Sequence, residues 1–308
     1  MRYTQYHFEV PQEKVVRVIT DTDAKNEADD QFSIVQALLS PKMENVGMIA
    51  AHFGTRRTQQ SMEESYAELQ TVFETMGFST ENMLYRGATH ALPNPATPVD
   101  SEGAQLIIRE AMKADDRPLY VTFLGPLTDL ASALLLEPRI AGRFTAIWIG
   151  GGAYPEGGAE FNLSNDIHAA NVVFASGVAL WQVPQNVYMM MDVSLAELEA
   201  RVRPCGRIGE YLCDQLNEHA QTEGPRKSDF RSGETWVLGD NPAMGLILYE
   251  HRYRFDWHCA PLISADMAYH HTGRNRPIRV YNSIDSRMVL EDLYAKLQLF
   301  AHKQSDRA

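Results

Sequence analysis

Four aspartates, Asp21, Asp23, Asp29 and Asp30, crowd one short stretch of the chain. Carboxylates held so close repel one another, and a helix dipole offsets only about 0.3–1 kcal/mol of one such charge. Several hard oxygen donors at one point are what Ca²⁺ or Mg²⁺ requires. An aspartate at a helix start can instead serve as a cap or a solvated turn, but capping uses one carboxylate. Four acids in this pattern point to a bound cation.

The elements around them fit a ligand site. The apolar, β-branched run at residues 15–19 reads as a buried parallel strand, with Asp21 and Asp23 at its end. Residues 31–40 read as a helix, with Phe32, Ile34, Val35, Leu38 and Leu39 on its apolar side and Pro41 closing it. Asp29 and Asp30 stand at its start. In open α/β sheets, ligands bind in the crevice at the strands' carboxyl ends.

Further strands are expected at residues 45–54, 83–87, 119–124, 146–149 and 186–191. Helices are expected at 56–76, 101–112, after the turn at 125–130, and at 166–176. This alternation indicates parallel βαβ units and an α/β fold: an open, mostly parallel central sheet flanked by helices, with a Rossmann-like start. Gly150, Gly151 and Gly152 follow a strand and permit close approach of backbone to a ligand. The proline-rich segment 91–98 reads as a surface loop and a candidate rim of the site. Beyond Asp192 the pattern becomes helical at 195–221 and 236–249, with short strands at 261–281 and a closing helix at 288–302. The polar, charged segment 222–233 reads as a mobile loop. No repeat or linker divides residues 1–308, which are read as a single domain.

The 308 residues are 44% hydrophobic and 22% charged, the balance of a globular protein. A net charge of −12 argues against nucleic acid or an anionic membrane as partner. Cys205, Cys213 and Cys259 form no C-x-x-C pair, which suits a reducing compartment and gives no zinc signature. Residues 1–14 are polar, with no signal-peptide core, and no run is long enough to span a bilayer. A cytoplasmic location is expected.

The chain resembles the inosine-uridine-preferring nucleoside hydrolases. The matching segments are D-T-D…D-D (Asp21, Asp23, Asp29, Asp30), F-L-G-P-L-T-D-L-A (123–131), I-G-G-G-A-Y (149–154), A-E-F-N (159–162) and G-D-N-P (239–242). They occur in the family's order from one end of the chain to the other. The resemblance implies Ca²⁺-dependent hydrolysis of the N-glycosidic bond of a ribonucleoside, by a homodimer or homotetramer. It implies Asp23, Asp30 and Asp240 as side-chain metal ligands and Leu124 as a backbone ligand. It makes Asp23 the general base, Asp29 a holder of a ribose hydroxyl, and Glu160 and Asn162 contacts to the sugar. Taken alone, Glu160 and Asn162 also read as a capping pair, and Asp240 as an N-cap.

Four departures set the chain apart. The loop 24–28 is two residues longer than usual and lacks Pro-Gly, so Lys25, Asn26 or Glu27 is expected to enter the site, with Asn26 taken as a substrate contact. The segment 154–158 lacks the family's ribose-binding asparagine, and Thr55 stands where asparagine is common. Gly239 occupies the position of a histidine thought to protonate the leaving base. His52, His258 and Tyr154 are the candidate replacements. His270 and His271 read as surface residues. Two other readings are weighed: a metal-dependent nucleoside- or sugar-binding protein without turnover, and a D-x-D phosphohydrolase, disfavoured because Ala24-Lys25 replaces the usual Gly-Thr.

Overall fold

Residues 1–222, 233–249 and 253–305 are described by a computed structural model. In chain order the elements are β1 (Val16–Thr22), α1 (Asp30–Leu38), β2 (Met43–Ala50), α2 (Ser61–Met76), β3 (Leu84–Arg86), α3 (Glu102–Met112), β4 (Leu119–Phe123), α4 (Thr128–Leu136), β5 (Thr145–Ile149), α5 (Phe161–Asn165) and α6 (Ile167–Ala175). They continue with β6 (Ala179–Val183), α7 (Gln185–Tyr188), β7 (Asp192–Ser194), α8 (Leu195–Arg201), α9 (Gly206–Thr222), β8 (Thr235–Val237), α10 (Asn241–Tyr249), β9 (Phe255–Cys259), β10 (Leu262–Ile263), β11 (Tyr269–His270), β12 (Pro277–Tyr281) and α11 (Ser286–Ser305).

Eight strands form one sheet in the order β3-β2-β1-β4-β5-β6-β12-β9. All neighbours pair in parallel except β9, which runs antiparallel on β12. The expected α/β architecture is therefore present. Strand order reverses between β1 and β4, a topological switch point, and the crevice beyond their carboxyl ends is where such sheets take ligands. β1 can lie at the centre because every one of its residues is buried. Two apolar clusters cover the sheet. One gathers Phe32, Leu38, Phe73 and Leu293; the other gathers Leu106, Phe123, Leu130 and Phe174.

Several expected elements differ. Residues 186–191 do not form a strand: β6 ends at Val183, Pro184 stands at the N-cap of the one-turn helix α7, and the chain then turns away. The helix expected at 195–221 is two helices, α8 and α9, separated by residues 202–205, which include Pro204; Gly206 (φ 69°) opens α9. The apolar start of the pattern at 236–249 is strand β8, which pairs with β7, and the helix begins only at Asn241. Most of the segment expected as a mobile loop, residues 223–232, lies outside the described residues. Among the described residues no helix is long and apolar enough to cross a membrane.

Candidate functional site

The loop between β1 and α1 is tied down on several sides. Gln31 Nε2 donates to Ala24 O (2.6 Å) and to Glu68 Oε1 (3.0 Å). Gln215 Nε2, from α9, donates to Ala28 O (2.9 Å), and Arg57 Nη1 to Asn26 O (3.0 Å). Lys25 turns outward and pairs with Glu68 at 2.9 Å. Of the three residues expected to enter the site, Asn26 and Glu27 therefore line the pocket, and Lys25 does not. Asp23, Asp29 and Asp30 line it from the same loop, Leu124 from the end of β4, Glu160 and Asn162 from α5 and its cap, and Asp240 from the start of α10. The expected metal and sugar contacts are thus all brought to this one pocket, whereas Asp21, the fourth aspartate of the sequence cluster, does not line it.

Asp29 occupies the N-cap position of α1, yet its side chain accepts no capping hydrogen bond. The capping reading thus fails at the position where it was most natural. Carboxylate oxygens of Asp29, Asp30 and Asp240 lie within 4.8 Å of one another. Thr22 Oγ1 donates to Asp30 Oδ1, and Ser33 Oγ to the backbone oxygen of Asp240 (3.1 Å). Asp23 Oδ2 is buried with no hydrogen-bond partner. Among the described residues no cationic side chain pairs with any of these four aspartates.

Burial, reinforced by the neighbouring acids, pushes Asp23, Asp29 and Asp240 well above the usual carboxylate range. Burial likewise pushes Asp30 up to about 7, although Thr22 opposes the shift. Buried charges are expected to be paired or to coordinate a metal. Converging oxygens, an orphaned carboxylate oxygen and the lack of a cationic partner fit a hard divalent cation. Asp29, Asp30 and Asp240 are the side chains whose oxygens converge on one point. Asp23, expected as a ligand, lines the same pocket outside that trio, and Asp29, expected as a ribose contact, falls inside it. The Leu124 carbonyl also faces this region and accepts from Asn162 Nδ2 at 2.7 Å.

On the opposite wall Glu160 is fully engaged. Its carboxylate accepts from Gly151 N (2.8 Å), Leu163 N (2.9 Å), Asn162 N (3.1 Å) and the Tyr188 hydroxyl (3.0 Å). A carboxylate has about four acceptor positions, so the capping role read for Glu160 is real and occupies them. Asn162 gives its amide hydrogens to Leu124 O and Ile149 O (2.9 Å), leaving its side-chain oxygen as the atom for a ligand. Tyr188 is a pocket residue that the sequence did not mark. The available signal was Gly239: a Cβ there would stand 3.1 Å from the Tyr188 ring and 3.4 Å from Asp29.

None of the three candidate acids lines the pocket. His52 is buried, with Nε2 on Thr128 Oγ1 (2.8 Å) and Nδ1 accepting from Gly54 N (3.1 Å). Thr128 passes its hydroxyl hydrogen to Asp166 Oδ2 (2.8 Å), so this is a structural chain that spans the core. Tyr154 stacks with His258, ring centroids 4.7 Å apart, in a cluster with Tyr269 and His271 beside the edge strand. The glycines at 150–152 approach the protein's own groups rather than a ligand: a Cβ on each would collide with Trp148, Gln182 or the Gly157 backbone. The proline-rich loop contributes no lining residue to the pocket.

A family model described as inosine-uridine preferring nucleoside hydrolase matches residues 18–291. A probable uridine nucleosidase 2 of Arabidopsis thaliana is 25% identical over 225 residues, covering 65% of this chain and 69% of that protein. The pyrimidine-specific ribonucleoside hydrolase RihA of Salmonella paratyphi A is 26% identical over 229 residues, covering 67% and 73%. Among solved structures, a plant nucleoside hydrolase, PpNRh1, superimposes with a TM-score of 0.75 at 19% identity, over 92% of this chain and 99% of that one. At that identity the likeness speaks for the fold.

Proposed function

The chain belongs to the inosine-uridine preferring nucleoside hydrolase family and is a ribonucleoside hydrolase, and from that premise we propose a Ca²⁺-dependent N-ribohydrolase with its centre in the aspartate pocket. The observation that carries the proposal is the convergence of Asp29, Asp30 and Asp240, with the orphaned Asp23 carboxylate oxygen in the same pocket and no cationic partner among the described residues. Family membership does not support the D-x-D phosphohydrolase reading.

A bound cation supplies attraction for hydroxyl oxygens and acidifies water. The chain's own groups do the rest. Asp23, whose Oδ2 has no protein partner, takes the proton of the attacking water. Asp29 accepts from a ribose hydroxyl, and Asn26 contacts the substrate from the same loop. Asn162 holds the Leu124 carbonyl and offers its side-chain oxygen to the sugar. Glu160 acts on the sugar side mainly by fixing Asn162, Gly151 and Tyr188 in place. The carboxylates stabilise the oxocarbenium-like charge that develops on the ribosyl group.

The relatives named for uridine and pyrimidine nucleosides make uridine a first substrate to try. The three free cysteines support the reading of a reducing, cytoplasmic setting, and a homodimer or homotetramer is the expected assembly. The test is ribose release from a panel of purine and pyrimidine ribonucleosides, with Ca²⁺ and with a chelator. Chelator-sensitive release, restored by Ca²⁺, is the expected result. Release unaffected by the chelator would remove the metal from the proposal. Ca²⁺ binding without release would leave a binding protein.

A further inference from the structure

The N-ribohydrolase reading leaves open which leaving groups the pocket handles, and its lining is unusual in that respect. Six carboxylates, Asp23, Glu27, Asp29, Asp30, Glu160 and Asp240, face one small space. The described lining contains no lysine, arginine, histidine or cysteine. One divalent cation offsets two formal charges, so the lining stays acidic with a cation in place. Phe161 and Tyr188 add two aromatic rings to the lining. The Arg56 guanidinium stands 5.6 Å from the Phe161 centroid, so among the described residues Tyr188 is the ring with no cation over it. The Tyr188 ring has room there because residue 239 is glycine.

Among the described lining residues the hydroxyl hydrogen and the Asn162 amide hydrogens are already committed. The donor left, the Asn26 side-chain amide, can hydrogen-bond a base but does not give up a proton at neutral pH. The Tyr188 hydroxyl donates to Glu160, and both amide hydrogens of Asn162 go to backbone carbonyls. Carboxylates gathered round a cation are acceptors, and His52 is bonded into the core. A leaving group suited to this lining needs no proton, and a planar cation is attracted both by carboxylates and by aromatic faces.

From these observations, and resting on the N-ribohydrolase reading, we propose that the pocket prefers N-ribosides whose leaving ring already carries a positive charge, the pyridinium and N-alkylpurinium ribosides. The bond from C1′ to the positive ring nitrogen breaks, and its electron pair neutralises that nitrogen. The water oxygen bonds to C1′ and its proton passes through Asp23 to solvent. Cationic riboside and water give ribose, neutral base and a proton.

The experiment measures kcat/KM of the full chain with Ca²⁺ on matched compounds: guanosine against 7-methylguanosine, uridine against nicotinamide riboside, and p-nitrophenyl β-D-ribofuranoside as a neutral compound that also needs no acid. The charged member of each pair is expected to be favoured by about tenfold or more, and to exceed the nitrophenyl riboside. Tyr188→Leu is expected to shrink the ratio, whereas Tyr188→Phe, which keeps the ring, retains it. Equal rates within the pairs, or a nitrophenyl riboside that matches the charged compounds, would overturn the charge preference while leaving the N-ribohydrolase reading intact. Silence on every compound would sink that underlying reading and this inference with it.

Discussion

The two ends of β1 solve the same electrostatic problem in opposite ways. At its amino end Arg17 is buried and meets Glu110 Oε2 at 3.3 Å and Asp115 Oδ2 at 3.5 Å, while Arg117 clamps Asp115 at 2.7 Å. Acids there are matched by cations from the same chain. At its carboxyl end Asp21 and Asp23 are equally buried, other acids surround them, and no lysine or arginine of the described residues pairs with them. The strand thus has a self-sufficient end that holds structure and a deficient end that requires something from outside. A site for a cation can be read from charge that the fold leaves unbalanced.

The sharpest way to break this contrast is at Asp30. Replacing it with alanine is expected to abolish Ca²⁺ binding and lower turnover by roughly 10³-fold, the scale of losing a group that acts on transition-state charge. The cation-free variant is expected to melt no lower than the parent protein, since it sheds repulsion. A variant that keeps turnover would end the metal assignment. At the other end, Arg17→Met leaves Asp115 to Arg117 and Glu110 to the exposed Lys113, so the loss should fall below the about 3–5 kcal/mol of a fully broken buried pair. Urea unfolding should show that loss, with kcat of the folded fraction unchanged.

Ca²⁺ at a hundred times its dissociation constant should stabilise the parent protein by about 2.7 kcal/mol. The increment should vanish in Asp240→Asn and survive in Arg17→Met. Calorimetry with and without chelator checks both.

The smallest effect is on pH dependence, where the two ends carry opposite signs. Asp129, packed beside the carboxyl end of β1, is pushed up to about 6 by burial. Its folded value lies above the unfolded one, so its stabilising contribution is complete below pH about 4 and is lost as pH rises through 6. Hydrogen bonds from Arg117 hold Asp115 below the usual range, so its contribution is present above pH about 4 and is lost as pH falls. Asp129→Asn should flatten stability between pH 4 and 6, and Asp115→Asn should flatten the acid limb. Urea midpoints across that range decide it.

The deficient end was legible in the sequence because strand, acids and helix start are contiguous there, so periodicity and residue type alone place Asp23, Asp29 and Asp30 together. Asp240 and Leu124 were reached only through resemblance to a family, since nothing local ties them to that loop. Tyr188 was not legible: it sits among methionines in a stretch that reads as a strand, and it enters the pocket because Pro184 starts a one-turn helix there. His52 failed as an acid for a related reason. Its partners, Thr128 and Asp166, lie far along the chain, and only the fold shows that both ring nitrogens are taken. The alternating first half was read well, whereas the second half, built on β8, β9 and β12, depends on long-range pairing that leaves little periodic trace.

The strand order also sets a timetable for synthesis. β6 ends at Val183, but its outer neighbour β12 begins only at Pro277. A chain emerging from the ribosome therefore carries an open sheet edge while the intervening residues are made, the kind of exposure that invites wrong pairing. The pocket is late as well, because three of its aspartates precede α2 and Asp240 waits just ahead of α10. A nascent chain can lay down most of the sheet before it can gather all four acids, so a cation that needs Asp240 meets a nearly finished molecule.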